Sequence, residues 1–64
     1  MDPLTQKLSE KAIDLCGKSK KELDRTCWMI VHEHIHGAMP TEYDIREIDE
    51  KLYLEVLRTA KEII

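Results

Sequence analysis

Residues 19–37 read SKKELDRTCWMIVHEHIHG, and this stretch decides the fold because it contains one helix with both of its ends. Ser19 followed three residues later by Glu22 is a capping box, in which each side chain accepts a hydrogen bond from the other residue's backbone N–H. Gly37 readily adopts the left-handed conformation in which many helices end. The stretch therefore predicts a helix over residues 20–36.

The residues before this stretch predict a first helix over 3–16. Asp2 is a favourable N-cap, Pro3 is tolerated in the first helical position, and Gly17 is a favourable C-terminal residue. Helical periodicity then gives this helix an apolar stripe that consists of Leu4, Leu8, Ala12, Leu15 and Cys16.

The residues after Pro40 predict a third helix over 41–63, capped by Thr41 or by Asp44. Its expected apolar stripe consists of Ile45, Ile48, Leu52, Val56, Ala60 and Ile63. Because both connections are short, consecutive helices should lie antiparallel. We therefore predict a single helical domain over residues 1–64, an all-α antiparallel three-helix bundle that forms oligomers.

The composition agrees with a small folded helical protein. The chain has 64 residues, of which 42% are hydrophobic and 36% charged, with only two Gly and two Pro. A domain of this size buries little apolar surface, so a partner chain or a metal would help to stabilise it. Phe is absent, and the core should therefore consist of aliphatic side chains.

The charge pattern argues against nucleic acid and membranes as partners. Ten basic and thirteen acidic residues are mixed along the chain, whereas phosphate binding needs a concentrated basic surface. No stretch reaches the roughly 20 apolar residues of a membrane span, and Lys and Glu occupy the positions where a signal peptide would be apolar. We expect a cytoplasmic protein, with reduced Cys16 and Cys27 serving as small core residues.

The one stretch with a chemical pattern is His-Glu-His-Ile-His at residues 32–36, which contains H-E-x-x-H. In zinc proteases the two outer histidines of this pattern bind the metal and the glutamate acts as the general base. His32 and His36 would then be metal ligands and Glu33 the catalytic residue. The helical wheel places both histidines opposite the apolar side, so such a site would require a second subunit.

A second metal hypothesis takes Glu33 and His36 as the E-x-x-H unit of di-iron helical bundles. A symmetric dimer would supply the other unit, and Glu47 or Glu50 would add oxygen ligands. Zinc and iron are therefore the cofactors of this alternative. The interpretation that we favour assigns no catalytic residue, no metal and no cofactor.

The wheel places His34 at the centre of the apolar side of the second helix. A buried imidazole needs a hydrogen-bond partner, because burying it unpaired costs on the order of 1–3 kcal/mol. Asp49 falls within the apolar stripe of the third helix, about one turn from the expected level of His34. We therefore expect both residues to be buried and in polar contact, directly or through water.

The third helix carries more apolar surface than two neighbouring helices need, and surface of this kind usually marks an interface. The residues that we expect at this interface are Trp28, Tyr53, Leu54, Leu57 and Ile64. The sequence thus favours a non-enzymatic interaction or regulatory module that acts through homo-oligomerisation and contact with other proteins. The alternative is a metal-binding protein or metal-dependent hydrolase that uses residues 32–36.

Overall fold

The computed structural model of the protein describes residues 2–41 and 47–64. These residues form three helices, α1 (Pro3–Cys16), α2 (Lys20–His36) and α3 (Glu50–Ile63), and include no strand. Each helix packs against the other two. The prediction of a small all-α three-helix bundle is confirmed. No helix in these ranges combines the length and the apolar composition that a membrane span requires.

Both ends of α1 lie where the sequence predicted them. The Asp2 carboxylate accepts a hydrogen bond from the Leu4 backbone N–H at 3.0 Å, and Gly17 ends the helix with a φ of 64°. The predicted apolar stripe was wrong at Leu15, which is 55% exposed. The buried side of α1 includes the polar Thr5 and Ser9 beside the apolar Leu8, Ala12 and Ile13.

Ser9 joins α1 to α3. Its Oγ lies 2.7 Å from the Thr5 carbonyl oxygen and 3.1 Å from the Val56 carbonyl oxygen, so the buried hydroxyl has acceptors on both helices. A buried hydroxyl without an acceptor would destabilise the fold. The buried Ser9 hydroxyl is therefore compatible with the contact between α1 and α3, whereas the buried Thr5 Oγ1 has no hydrogen-bond partner among the described residues.

The ends of α2 also agree with the prediction, although the capping box does not form as expected. Ser19 is the N-cap, but its side chain makes no capping hydrogen bond. The backbone N–H of Ser19 donates to the Cys16 carbonyl at 3.2 Å, so it is already paired without Glu22. Gly37 ends the helix with a φ of 78°, a conformation that favours glycine.

The predicted start of α3 was wrong. The helix begins at Glu50, and Asp49 is its N-cap, with a carboxylate that accepts from the Leu52 backbone N–H at 3.1 Å. Thr41 lies outside any helix, whereas Asp44 and Ile45 lie outside the described residues. The described residues between α2 and α3, 37–41 and 47–49, lie outside any helix, and we call them the α2–α3 connection.

The core lies where the three helices meet and is aliphatic, as predicted. Among the described residues its buried apolar members are Leu8, Ala12, Ile13, Leu23, Cys27, Ile30, Val31, Val56 and Ala60. Cys27 is buried and Cys16 half-buried, and both are free thiols. Burial raises the pKa of the Cys27 thiol to about 11, with smaller contributions in the same direction from Cys16 and Asp24.

Candidate functional site

The histidines of the H-E-x-x-H stretch lie at the C-terminal end of α2, beside the α2–α3 connection. His32 is 0% exposed, and its Nδ1 is 2.9 Å from the Ala38 carbonyl oxygen. The prediction that His32 faces solvent was therefore wrong. A carbonyl oxygen only accepts hydrogen bonds, so the Nδ1 of His32 carries the proton in this contact.

His36 makes a similar contact at the other end of the connection. Its Nε2 is 2.6 Å from the Glu47 carbonyl oxygen. The ring centroids of His32 and His36 are 4.6 Å apart. Trp28, one turn earlier on α2, has its ring centroid 5.4 Å from that of His32. We call His32 and His36 the histidine pair. This pair joins α2 to both ends of the connection, just after α2 and just before α3.

Glu33 belongs to a different contact. Its carboxylate forms an ion pair with the Lys11 ammonium group of α1, on a partly exposed part of the surface. The H-E-x-x-H stretch is therefore divided between two contacts, one with the connection and one with α1. Within residues 2–41 and 47–64 no three His, Cys, Asp or Glu side chains are grouped so that they could hold a metal ion.

The additional oxygen ligands of the di-iron alternative, Glu47 and Glu50, belong to no group of possible metal ligands within the described residues. Glu47 is exposed and contacts His36 through its backbone carbonyl oxygen. Glu50 is exposed in the first turn of α3. The structure thus brings His36 and Glu47 together. The contact is a hydrogen bond to the main-chain carbonyl oxygen of Glu47 and does not involve its carboxylate.

The predicted buried pair of His34 and Asp49 was wrong. Both residues are exposed, and the Asp49 carboxylate caps α3 through the backbone N–H of Leu52. The core side of α2 is formed by Leu23, Cys27, Ile30 and Val31, and it excludes His34. The buried histidine is instead His32, two positions earlier in the chain, whose Nδ1 contacts the Ala38 carbonyl oxygen just after α2.

The outer surface of α3 contains an exposed leucine. Leu54 is 59% exposed, while Tyr53, Leu57 and Ile64 are half-buried and pack against the core. Burial raises the pKa of the Tyr53 hydroxyl, with further contributions in the same direction from Asp24 and Cys27 of α2. Trp28 is half-buried on α2 beside the His32 ring.

A shallow open groove lies beside Leu54 on this surface. Its lining combines two leucines with charged side chains of both signs, namely Leu54, Leu57, Arg58, Lys61 and Glu62. The two leucines of this groove were predicted from the sequence, whereas the charged residues beside them were not. The charged residues could have been predicted from their spacing relative to the leucines, because residues three or four apart on a helix share one face.

Comparison with known proteins gives one finding. A family model described as "Domain of unknown function (DUF8662)" matches residues 3–64, which include all three helices. The comparisons with curated proteins and with solved structures gave no match.

Proposed function

We propose that this chain, which belongs to the family described as Domain of unknown function (DUF8662), is a non-enzymatic helical interaction module. It associates with itself and contacts other proteins through the outer surface of α3. The observation that carries this proposal is Leu54, which is 59% exposed at the middle of that helix. Full burial of a leucine side chain contributes about 1.5–3 kcal/mol, so covering Leu54 would stabilise a complex.

The position of Leu54 within α3 supports the proposal. The helix already has an inner side for the core, which buries Val56, Thr59 and Ala60. Leu57 lies between the two sides, half-buried and in contact with the core. Leu54 therefore adds apolar surface beyond the part of α3 that packs in the bundle.

The charged residues around Leu54 also suit a protein partner. Arg58, Lys61 and Glu62 line the groove together with the two leucines. An apolar centre with a charged rim of both signs is the usual composition of a protein–protein interface. A nucleic-acid partner would require a more uniformly basic surface, because phosphates repel carboxylates.

The contacts of the H-E-x-x-H residues support a non-enzymatic function. The histidine pair holds the α2–α3 connection, and Glu33 pairs with Lys11 of α1. Each of these side chains thus has a structural role within one chain. We also propose a cytoplasmic location, which is supported by the free thiols of Cys16 and Cys27.

Sedimentation analysis over a range of concentrations tests the proposal. We expect the particle mass to rise above the 7.5 kDa of one chain as the concentration increases. Leu54→Glu should prevent this rise, because association would bury the new carboxylate. Leu15→Glu is the matched control, since Leu15 is 55% exposed on α1 and should tolerate the same change. Equal behaviour of the two variants would contradict a role for α3.

A further inference from the structure

We infer that two copies of the chain pair through antiparallel α3 helices, with Leu54 of each copy against Leu57 of the other and Glu50 of each against Lys61 of the other. This inference rests on the proposed function and specifies its partner and register. The contact would have twofold symmetry, so each of the two pairings would occur twice. We call Glu50, Leu54, Leu57 and Lys61 the α3 stripe.

The spacing of the α3 stripe is that of a helix–helix seam. Its members follow one another at intervals of four, three and four residues. This alternation keeps side chains on one side of a helix with 3.6 residues per turn, as in coiled coils. Glu50 and Lys61 are exposed, Leu54 is mostly exposed, and Leu57 is half-buried. The stripe can therefore meet another helix without rearrangement of the core.

The charges decide the direction of pairing. A parallel twofold pair would place Glu50 beside Glu50 of the partner subunit and Lys61 beside Lys61 of the partner subunit. Like charges that face each other across an interface destabilise the complex. An antiparallel pair places opposite charges at both ends of the stripe. Electrostatic complementarity of this kind selects orientation and register.

The leucines and the charges require the same register. If the twofold axis passes midway between the levels of Leu54 and Leu57, Leu54 of each copy lies opposite Leu57 of the other. Glu50 precedes Leu54 by four residues, and Lys61 follows Leu57 by four residues. The same axis therefore places Glu50 level with Lys61 of the partner subunit.

Glu50 and Lys61 are available for this contact. Neither makes an ion pair within residues 2–41 and 47–64, where the one ion pair joins Lys11 and Glu33. The two residues lie about three turns apart on one helix, roughly 16 Å along its axis, so they cannot pair within one chain. A second copy supplies each with an oppositely charged partner.

Charge reversal tests the pairing by sedimentation equilibrium. Glu50→Lys or Lys61→Glu alone should weaken self-association by on the order of tenfold, because each makes two contacts repulsive. The double variant, and an equimolar mixture of the two single variants, should both associate within about threefold of the unchanged protein. In the mixture only the heterodimer has opposite charges at both contacts. These differences should shrink in 1 M salt.

Glu22→Lys is the matched control for helix stability. Glu22 occupies the first turn of α2 as Glu50 occupies the first turn of α3, where a carboxylate interacts favourably with the helix dipole. Its reversal should cost similar helix stability and leave self-association unchanged. Circular dichroism at the measured concentrations shows whether each variant is folded.

The outcomes separate this inference from the proposed function. Rescue in the mixture and in the double variant supports the antiparallel register. Loss of association in Leu54→Glu without rescue by charge reversal would overturn the register and leave the α3 interface in place. A chain that stays monomeric up to millimolar concentration would overturn both the register and self-association.

Discussion

His36 is joined to Glu47 across the α2–α3 connection, with 2.6 Å between the imidazole Nε2 and the Glu47 carbonyl oxygen. His32 holds the other end of the same connection through the Ala38 carbonyl oxygen. Two residues that would bind zinc in a protease thus anchor the polypeptide that leads into α3. The position of α3, and of its outer surface, depends in part on these contacts.

Alanine substitution of the three histidines should separate their roles. His32→Ala should lower the free energy of unfolding by about 2–4 kcal/mol, because it removes a fully buried ring and its hydrogen bond. His36→Ala should cost about 1 kcal/mol, the net value of one hydrogen bond. His34→Ala is the control and should change stability by less than about 0.5 kcal/mol, because this side chain is exposed. Urea denaturation measures all three.

A larger effect for His34→Ala than for His32→Ala would contradict the assignment of His32 as the buried histidine. Amide hydrogen exchange provides a second measurement. In His36→Ala we expect faster exchange at the start of α3 than in α1, because the lost hydrogen bond lies next to α3.

The ion pair between Lys11 and Glu33 should contribute little to stability. Both side chains are partly exposed, and surface pairs of this kind are worth about 0.2–1 kcal/mol. A double-mutant cycle with Lys11→Met and Glu33→Gln measures the coupling free energy. A coupling above about 2 kcal/mol would mean that the pair is more strongly desolvated than its exposure indicates.

A chelator should leave the structure intact. The three residues of the metal hypothesis have other partners within the chain, so we expect EDTA to change neither the circular dichroism spectrum nor the melting temperature. Metal analysis of the purified protein is the direct measurement. Stoichiometric zinc or iron that is retained by the unchanged protein and lost in His36→Ala would instead favour the intersubunit metal site.

Stability should fall at alkaline pH because of Cys27. Burial raises the pKa of this thiol from 9.0 to about 11 in the folded protein. Between these values the unfolded chain releases the proton and the folded chain keeps it, so unfolding becomes more favourable as the pH rises. The contribution of Cys27 to the free energy of unfolding is complete below about pH 9 and is lost as the pH rises towards 11.

Urea denaturation at pH 8 and at pH 10.5 measures this effect, with Cys27→Ala as the control variant. The variant should show a smaller loss of stability over this range. Tyr53, whose pKa is also raised by burial, contributes in the same direction and remains in the variant. An identical pH dependence in the two proteins would show that Cys27 does not titrate in the expected range.

Local sequence was sufficient to determine where α1 and α2 begin and end. The Asp2 cap needs only the next helical turn, and Gly17 and Gly37 adopt positive φ angles that glycine accepts without steric strain. The aliphatic core and the exposed Leu54 also follow from composition and periodicity. These features depend on residues that are near one another in the chain.

Tertiary structure alone decided the environment of the histidines. A helical wheel describes one helix against one apolar neighbour, and it placed His34 inside and His32 outside. In the folded chain the backbone carbonyl oxygens of Ala38 and Glu47, which lie outside α2, contact His32 and His36. Helical periodicity contains no information about which loop will cover a polar face, so burial of His32 could be recognised only in the folded chain.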